Sequence, residues 1–261
     1  MTTVEPTRRR LSTGHEVELP LELAFAMGGV TVPARRGRLE AILPDGLSSL
    51  AIAPGVGCVA LVGIQYHRVG GGSTRAGAAD EEREREPGLE PYDEFAVIVP
   101  AVHGGRTDLP VAQLSDGDIG GYVHWLPVTT DPSVALGREL WGYPKERADI
   151  TVTDGPNGIR AVVVGGRYGE REGARLEVAR PRSDPRRRDW TMASYTTVDG
   201  DLLRTPVRIE GEIALGLGVA GTRLEIAPSL RRELGLWQRP LTRLYGSRVR
   251  ARLFEGEQIR G

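Results

Sequence analysis

Lys145 is the residue whose type most directly suggests chemistry. Of the 34 lysines and arginines in the chain, every one except Lys145 is an arginine. A guanidinium stays protonated under all protein conditions, whereas a desolvated amine can lose its proton and attack a carbonyl. A lysine that is needed only for its charge can therefore be replaced by arginine, and a nucleophilic lysine cannot. A codon bias that spared one lysine by chance is the alternative, and composition alone leaves it open.

Aromatic residues and histidines are the other candidates for a site. Those near Lys145 or in apolar or glycine-rich surroundings are Trp141, Tyr143, Trp125, His124 and His103, and we predict that they bind substrate. Trp125 and Trp141 could stack on a substrate or fill the core. His124, in YVHWLP, could shuttle protons or serve as a hydrogen-bonded structural residue. His103 stands before a glycine-rich loop, which favours a position at a pocket mouth.

Composition narrows the class of protein. The chain has 261 residues, of which 39% are hydrophobic and 26% charged, as is typical of a globular protein. A net charge of −1 gives no electrostatic reason to expect binding to nucleic acid or to a membrane surface. Cys58 is the only cysteine, and the four histidines lack the spacing of a metal site. We therefore expect no cofactor, and the absence of an apolar N-terminal run predicts a cytoplasmic protein.

The elements that must position these residues are mostly strands. Apolar and β-branched runs predict strands over residues 21–34, 58–69, 92–102 and 122–130, with Gly28 and Gly29 interrupting the first. The Asn-Gly of GPNG predicts a hairpin after Lys145. Helices are predicted over residues 35–47, 131–140 and 227–237, the second with Asp131 at its N-cap.

Many short strands and few helices favour a mainly β (α+β) fold with a β-barrel or double-sheet core and a few flanking helices. No linker divides the chain, so we predict one domain over residues 21–261, preceded by a flexible arm over residues 1–20. Residues 70–90 contain glycines and a mixed charge run, which favours a mobile loop.

The segment GRELWGYPKERADI, residues 137–150, resembles the active-site segment of the acetoacetate decarboxylase family. In that family a Gly-Arg-Glu helix end runs through a short aromatic turn into Pro-Lys, and the lysine forms a Schiff base with the substrate ketone. The resemblance implies this nucleophilic role for Lys145. It also implies a β-barrel with flanking helices, which agrees with the strand pattern.

Three further segments extend the resemblance over roughly residues 20–165. GGYVHWLPVTTDPSVALGREL, residues 120–140, follows the family's strand and helix before the lysine, and LEAILPDGL, residues 39–47, resembles a helix and turn near its N-terminus. EPYDE, residues 90–94, resembles the segment that carries the family's catalytic glutamate. The resemblance thus implies that Glu94 transfers protons.

Three positions depart from the family pattern. The decarboxylases carry a second lysine where this chain has Glu146, an arginine near the position of Phe25, and a glutamate near the position of Val62. We expect Glu146 to point away from Lys145, because adjacent residues of an extended segment face opposite sides. Desolvation by Trp141 and other apolar neighbours would then have to keep the amine neutral, and Phe25 would contact substrate.

These residues predict a lyase that forms a Schiff base with a keto acid or a related ketone. The missing arginine near Phe25 argues against decarboxylation of acetoacetate itself and leaves open a larger or less polar keto substrate. An iminium ion accepts electrons from a carbon–carboxylate, carbon–carbon or carbon–hydrogen bond, so an aldolase, dehydratase or cyclase in a biosynthetic pathway is the alternative. A non-catalytic binding protein for small molecules on the same fold is the third reading, and Glu146 favours it. We expect a small keto compound as the partner and a homo-oligomer as the assembly.

Overall fold

The structure is a computed structural model, and it describes residues 7–71, 87–105, 113, 117–169, 173–180 and 185–259. Most of the loop predicted over residues 70–90 lies outside these ranges, as do the first six residues of the predicted N-terminal arm. None of the helices in the described ranges is long and apolar enough to cross a membrane.

Strands dominate the described chain. In chain order they are β1 (Thr7–Arg10), β2 (Glu16–Leu19), β3 (Leu21–Arg35), β4 (Leu47–Ser49), β5 (Val56–Gly70), β6 (Gly88–Leu89), β7 (Asp93–His103), β8 (Asp118–Val128), β9 (Lys145–Arg147), β10 (Asp149–Gly155), β11 (Gly158–Val164), β12 (Ala174–Ala179), β13 (Arg186–Val198), β14 (Asp201–Leu217), β15 (Thr222–Ile226), β16 (Thr242–Leu253) and β17 (Glu257–Ile259). The described helices are α1 (Arg36–Glu40), α2 (Asp131–Trp141) and α3 (Pro228–Leu234). The predicted mainly β fold with few helices is confirmed.

A closed barrel forms the centre of the molecule. Its seven strands run in the order β7-β5-β3-β16-β14-β13-β8, and β8 pairs again with β7 to close the ring. Closure satisfies the backbone hydrogen bonds that an open sheet edge would leave unpaired. The short strand β9, which begins at Lys145, extends the barrel by pairing in parallel with β8.

Two hydrophobic clusters lie on opposite faces of the barrel strands. The outer cluster fills the space between the barrel and a sheet of β10, β11, β12 and β15, and its members include Val30, Val32, Leu61, Phe95, Val97, Trp125, Val152, Ile159 and Leu176. The interior cluster includes Phe25, Met27, Val62, Tyr66, Tyr92, Ala96, Val123, Leu126, Trp141, Tyr143, Ile213 and Val249. Because side chains alternate along a strand, one strand supplies residues to both clusters.

The glycines of β3 allow close packing and do not interrupt the strand. β3 is continuous through Gly28 and Gly29, and its register shift lies earlier, between Ala24 and Phe25. A Cβ at Gly28 would lie 2.6 Å from the Cβ of Ile159 on the covering sheet. The predicted interruption at the glycines is therefore wrong, and the absent side chains let the sheet approach the barrel.

The N-terminal segment is docked where the structure describes it. β1 and β2 form an antiparallel hairpin, and Leu11, Val17 and Leu19 are buried in the interior cluster. All three predicted helices are present, the one over residues 131–140 in full and the other two in part. The one predicted over residues 35–47 spans only α1, and α2 is capped by Thr130, whose side chain accepts a hydrogen bond from the Ser133 N–H, rather than by Asp131.

Candidate active site

The turn between α2 and β9 brings Lys145 into the barrel. Gly142 ends α2 in the left-handed conformation with φ 60°, and its N–H donates to the Arg138 carbonyl. A left-handed residue at this position favours glycine, which has no Cβ to clash. Lys145 then pairs with Leu126 of β8, and Arg138 Nε donates to the Lys145 carbonyl oxygen at 2.7 Å. Both ends of the turn are thereby held.

Lys145 is buried beside Glu94. Its Nζ lies 2.8 Å from Glu94 Oε2, and each side chain is 5% exposed. Lys145 Nζ also donates a hydrogen bond to the Tyr92 hydroxyl at 3.1 Å. The Tyr66 hydroxyl in turn donates to Glu94 Oε1 at 3.1 Å. Lysine, carboxylate and two phenols thus form one connected polar group within an apolar surrounding.

Strand periodicity explains why Glu94 faces inward. Glu94 and Ala96 lie two residues apart on β7, and Ala96 belongs to the interior cluster, whereas Phe95 belongs to the outer one. Residues two apart on a strand share a face. Tyr92, two residues before Glu94, is also in the interior cluster. The placement of Glu94 beside Lys145 follows the expectation from the sequence, although its role in proton transfer stays a prediction.

The charge state of Lys145 differs from the sequence-based expectation. Burial alone would lower the pKa of Lys145, but the Glu94 carboxylate and the Tyr92 hydroxyl together outweigh burial and raise it above its ordinary value. The raised pKa favours the ammonium form of Lys145 at neutral pH. Apolar neighbours were the expected means of keeping the amine neutral, and the buried carboxylate within contact distance acts in the opposite direction.

The phenols around the pair are neutral. Burial raises the pKa of Tyr92 to about 12, although the nearby Lys145 charge acts in the opposite direction. Burial likewise raises the pKa of Tyr143 to about 12 and holds that of Tyr66 well above its usual range. These hydroxyls can therefore donate or accept hydrogen bonds at neutral pH without adding charge to the site.

Aromatic and aliphatic side chains surround this polar group. The ring of Phe25 meets that of Tyr66 edge-on at 5.5 Å, and Tyr66 lies 4.5 Å from Tyr92 between ring centroids. Trp141 lies against Tyr143 at 5.6 Å, and the Trp141 indole N–H donates to the Phe254 carbonyl at 2.8 Å. The structure thus brings three predicted substrate-binding residues, Phe25, Trp141 and Tyr143, into the cluster that encloses Lys145.

Gly137 makes room for the lysine side chain. A Cβ at this helical position would lie 2.7 Å from Lys145 Cε and 2.9 Å from Cγ, and closer still to Cδ. Such distances are shorter than real carbon–carbon contacts allow. The glycine of the Gly-Arg-Glu segment is therefore explained by the path of the Lys145 side chain, a relation that the sequence reading missed.

His124 and Trp125 lie on the other face of β8. Trp125 packs in the outer cluster at 6.1 Å from Phe95, and His124 Nε2 lies 2.9 Å from the Tyr168 hydroxyl. Burial, together with the charge of Arg167, lowers the pKa of His124 to about 4, so this imidazole is neutral at pH 7. The structure does not bring either residue to Lys145.

His103 and Glu146 also lie away from the lysine amine. His103 ends β7, nine residues beyond Glu94, which places it roughly 30 Å along the strand, and its ring lies 6.3 Å from that of Tyr195. The Glu146 carboxylate accepts hydrogen bonds from Trp125 Nε1 at 2.6 Å and from the Arg167 N–H at 2.9 Å. Glu146 therefore points away from Lys145 as expected.

Tyr66 and Tyr92 are the contacts of the pair that sequence analysis missed. Tyr92 stands two residues before Glu94 in EPYDE, and the period of a strand was the available signal for it. Tyr66 carries no such signal, because its approach depends on the pairing of β5 with β7. Within the described ranges, no group of three His, Cys, Asp or Glu side chains could hold a metal ion.

Fold and site together define a class of protein: a closed β-barrel whose apolar interior buries a lysine beside a carboxylate. The chain belongs to the acetoacetate decarboxylase family, since the family model described as Acetoacetate decarboxylase (ADC) matches residues 23–198. This match confirms the resemblance seen in the sequence.

Solved structures of the same fold include enzymes with different names. The enduracididine biosynthesis enzyme MppR complexed with pyruvate is 14% identical, with a TM-score of 0.62 over 98% of this chain and 92% of that chain. Acetoacetate decarboxylase from Legionella pneumophila subsp. pneumophila str. Philadelphia 1 is 16% identical, with a TM-score of 0.58 over 99% and 90%. An acetoacetate decarboxylase-like enzyme from Sphingomonas wittichii RW1 is 17% identical, with a TM-score of 0.53 over 92% of each chain. These similarities show the fold, and a comparison with curated proteins found no match.

Proposed function

We propose that this protein is a lyase that forms a Schiff base between Lys145 and a keto acid or a related ketone. Glu94 is the group that transfers protons. The observation that carries the proposal is the buried contact of 2.8 Å between Lys145 Nζ and Glu94 Oε2. A buried ion pair is weak evidence for stability, because desolvation offsets its attraction, so a functional reason for keeping it has weight.

The pair can generate the nucleophile without help from solvent. The Lys145 ammonium passes a proton to the Glu94 carboxylate across their 2.8 Å contact, and the pair keeps a net charge of zero. The neutral amine then adds to the carbonyl carbon, and Glu94 returns the proton to the carbinolamine. Glu94 next takes a proton from the carbinolamine nitrogen and delivers it to the hydroxyl, which leaves as water, so that a positive iminium nitrogen stands beside the Glu94 carboxylate.

The iminium ion is an electron sink that needs no cofactor. It accepts the electron pair of a bond broken at the neighbouring carbon, which is a carbon–carboxylate bond in decarboxylation. Retro-aldol cleavage, dehydration or cyclisation in a biosynthetic pathway is the second candidate. Support for it comes from MppR, which has been solved with pyruvate and with the condensation product of pyruvate and imidazole 4-carboxaldehyde.

A non-catalytic binding protein is the third candidate, and the raised pKa of Lys145 is the observation that favours it. A protein that only binds would leave the lysine unmodified with every carbonyl compound. Against this candidate stands the retention of one lysine among arginines, because arginine could also pair with Glu94.

Reductive trapping tests the proposal. The protein is incubated with a panel of ketones and keto acids, reduced with borohydride, and digested for mass spectrometry. We expect an adduct on Lys145 with at least one member of the panel, and we expect none in the Lys145→Arg variant. Release of carbon dioxide from a trapped keto acid would assign decarboxylation, and trapping with turnover but without carbon dioxide would assign the second candidate. No adduct with any carbonyl compound would contradict the proposal.

A further inference from the structure

The buried site holds one positive and one negative charge. Among the described residues, the buried acidic or basic side chains are Glu94, Lys145 and His124, and His124 lies on the opposite face of β8. The charge of Lys145 acts on Tyr92 and Tyr143, which are neutral phenols. The charges of Glu94 and Lys145 therefore cancel, and the described residues include no other buried cation that could pair with an anionic substrate.

Schiff-base formation preserves this balance when the substrate is neutral. An ammonium and a carbonyl give a protonated iminium and one water molecule, so one positive charge is present before and after the reaction. The iminium takes the place of the ammonium beside Glu94, at the position now 2.8 Å from its carboxylate. No proton has to enter or leave the site, and no further charge has to be buried.

A substrate carboxylate would give the buried site a net negative charge. It would bring a second negative charge into an interior where the single positive charge already has a partner. An unpaired buried charge is strongly unfavourable. The side chains of Phe25, Met27, Val62 and Val249 in the same cluster are apolar. The hydroxyls of Tyr66 and Tyr92 already contact Glu94 and Lys145, and as neutral phenols they bring no charge that would balance a carboxylate.

We propose that the site takes neutral ketones or aldehydes with apolar substituents and discriminates against keto acids. This substrate class rests on the proposed function, since it assumes that Lys145 forms the Schiff base. Within that function it selects the related ketone over the keto acid. A neutral substrate has no carboxylate to lose, so this substrate class favours the second candidate reaction, in which another carbon–carbon bond or a carbon–hydrogen bond breaks next to the iminium.

Pairs of probes with the same shape and different charge test the proposal. Methyl isoamyl ketone and levulinate share a skeleton in which a dimethyl end replaces the carboxylate, and methyl isobutyl ketone and acetoacetate are related in the same way. Each probe is trapped with borohydride on the native protein. The adduct on Lys145 is divided by the adduct on the chain's α-amine, which corrects for the intrinsic reactivity of each probe. We expect this ratio to be at least about tenfold higher for the neutral member of each pair.

The outcomes separate the two proposals. Equal or preferred trapping of levulinate and acetoacetate on Lys145 would overturn the substrate class and leave the Schiff-base function standing. Labelling of the α-amine alone by all four probes would overturn the function and the substrate class with it.

Glu94→Gln tests whether charge balance is the reason for the preference for neutral ketones. This variant leaves the lysine charge without a buried partner, so trapping of the anionic probe should rise relative to that of its neutral counterpart, although the loss of the proton-transferring carboxylate slows trapping of both. We expect the preference for the neutral ketone to fall by about tenfold or more in a variant whose thermal transition shows that it is folded. An unchanged preference in the folded variant would overturn charge balance as the basis of selection. If the variant does not fold, the result with the native protein decides alone.

Discussion

Alanine at position 137 would test whether the helix leaves only enough space for the Lys145 side chain. The added Cβ would lie 2.7 Å from Lys145 Cε, whereas ordinary contact begins at 3.4 Å, so Cε has to retreat by at least about 0.7 Å. The lysine cannot swing away freely. Its amine contacts Glu94 and Tyr92, and its backbone is held by Arg138.

The expected effect on stability is small, and the effect on chemistry is large. Alanine is favoured over glycine in a helix by about 1 kcal/mol, which opposes an overpacking cost of about 1–3 kcal/mol. The net loss in unfolding free energy for Gly137→Ala should therefore not exceed about 2 kcal/mol. A misplacement approaching 1 Å can lower a rate by about 100-fold, and we expect that loss in adduct formation on Lys145.

The assay is the initial rate of borohydride-trapped adduct on Lys145, measured beside a thermal unfolding curve. Gly37→Ala is the matched control, because Gly37 is also a helical glycine and a Cβ there would meet no atom within 4 Å. We expect the control to keep the native trapping rate and to gain stability of up to about 1 kcal/mol. A native trapping rate in Gly137→Ala would refute the inferred constraint on the lysine side chain.

Three further variants address the charges and hydrogen bonds. Glu94→Gln should lose about 3–5 kcal/mol of stability and lower the pKa of Lys145, because burial then acts without its counter-charge. An NMR titration of isotope-labelled lysine measures this pKa directly, since the chain has one lysine. A Lys145 pKa as high as in the native protein would count against the ion pair. Tyr66→Phe should lose about 1–2 kcal/mol in a urea titration and slow trapping, since the hydroxyl donates to Glu94, and native values of both would show that this hydrogen bond is unimportant. The pKa of His124 in the folded protein is depressed to about 4, so neutral His124 stabilises the fold above the unfolded value of about 6.5, and this stabilisation is lost as pH falls towards 4. A folded His124→Gln variant should therefore lose less stability between pH 6.5 and pH 4 than the native protein does. An identical loss would contradict the depressed pKa of His124.

Much of the fold could be predicted from local pattern. The strand runs, the α2 segment and the motif around Lys145 each have a signature within a few consecutive residues, and these gave the mainly β class, the family and the Lys145–Glu94 pair. Closure of the barrel depends on the second pairing of β7 with β8, which joins residues that are distant along the chain. No local pattern carries that information.

The orientation of the side chains on β8 shows why part of the site could not be predicted. The pairing of β7 with β8 shifts register between Val97 and Ile98, where Trp125 and Val123 are the successive partners, so His124 is an extra residue. Such a bulge resets the alternation of faces. Its position depends on tertiary pairing, and without it His124 and Trp125 could not be assigned to the outer face.

The charge state of the lysine could not be predicted for a similar reason. Trp141 and Tyr143 are neighbours in sequence and indicate an apolar surrounding, which argues for a neutral amine. The carboxylate that reverses this effect comes from β7, 51 residues earlier in the chain. Electrostatic contacts between separate strands decide a buried pKa as strongly as burial does.

Adduct mapping on the native protein and on Lys145→Arg tests the central claim most directly. Arginine keeps the positive charge beside Glu94, so the variant should stay folded, but its guanidinium cannot form an iminium. Lys145 is the only lysine, so a trapped carbonyl compound can modify only this side chain or the α-amine of the chain. We predict an adduct on the peptide of residues 141–147 in the native protein, and neither that adduct nor turnover in a folded Lys145→Arg variant. Native turnover in this variant would contradict the assignment of Lys145 as the nucleophile.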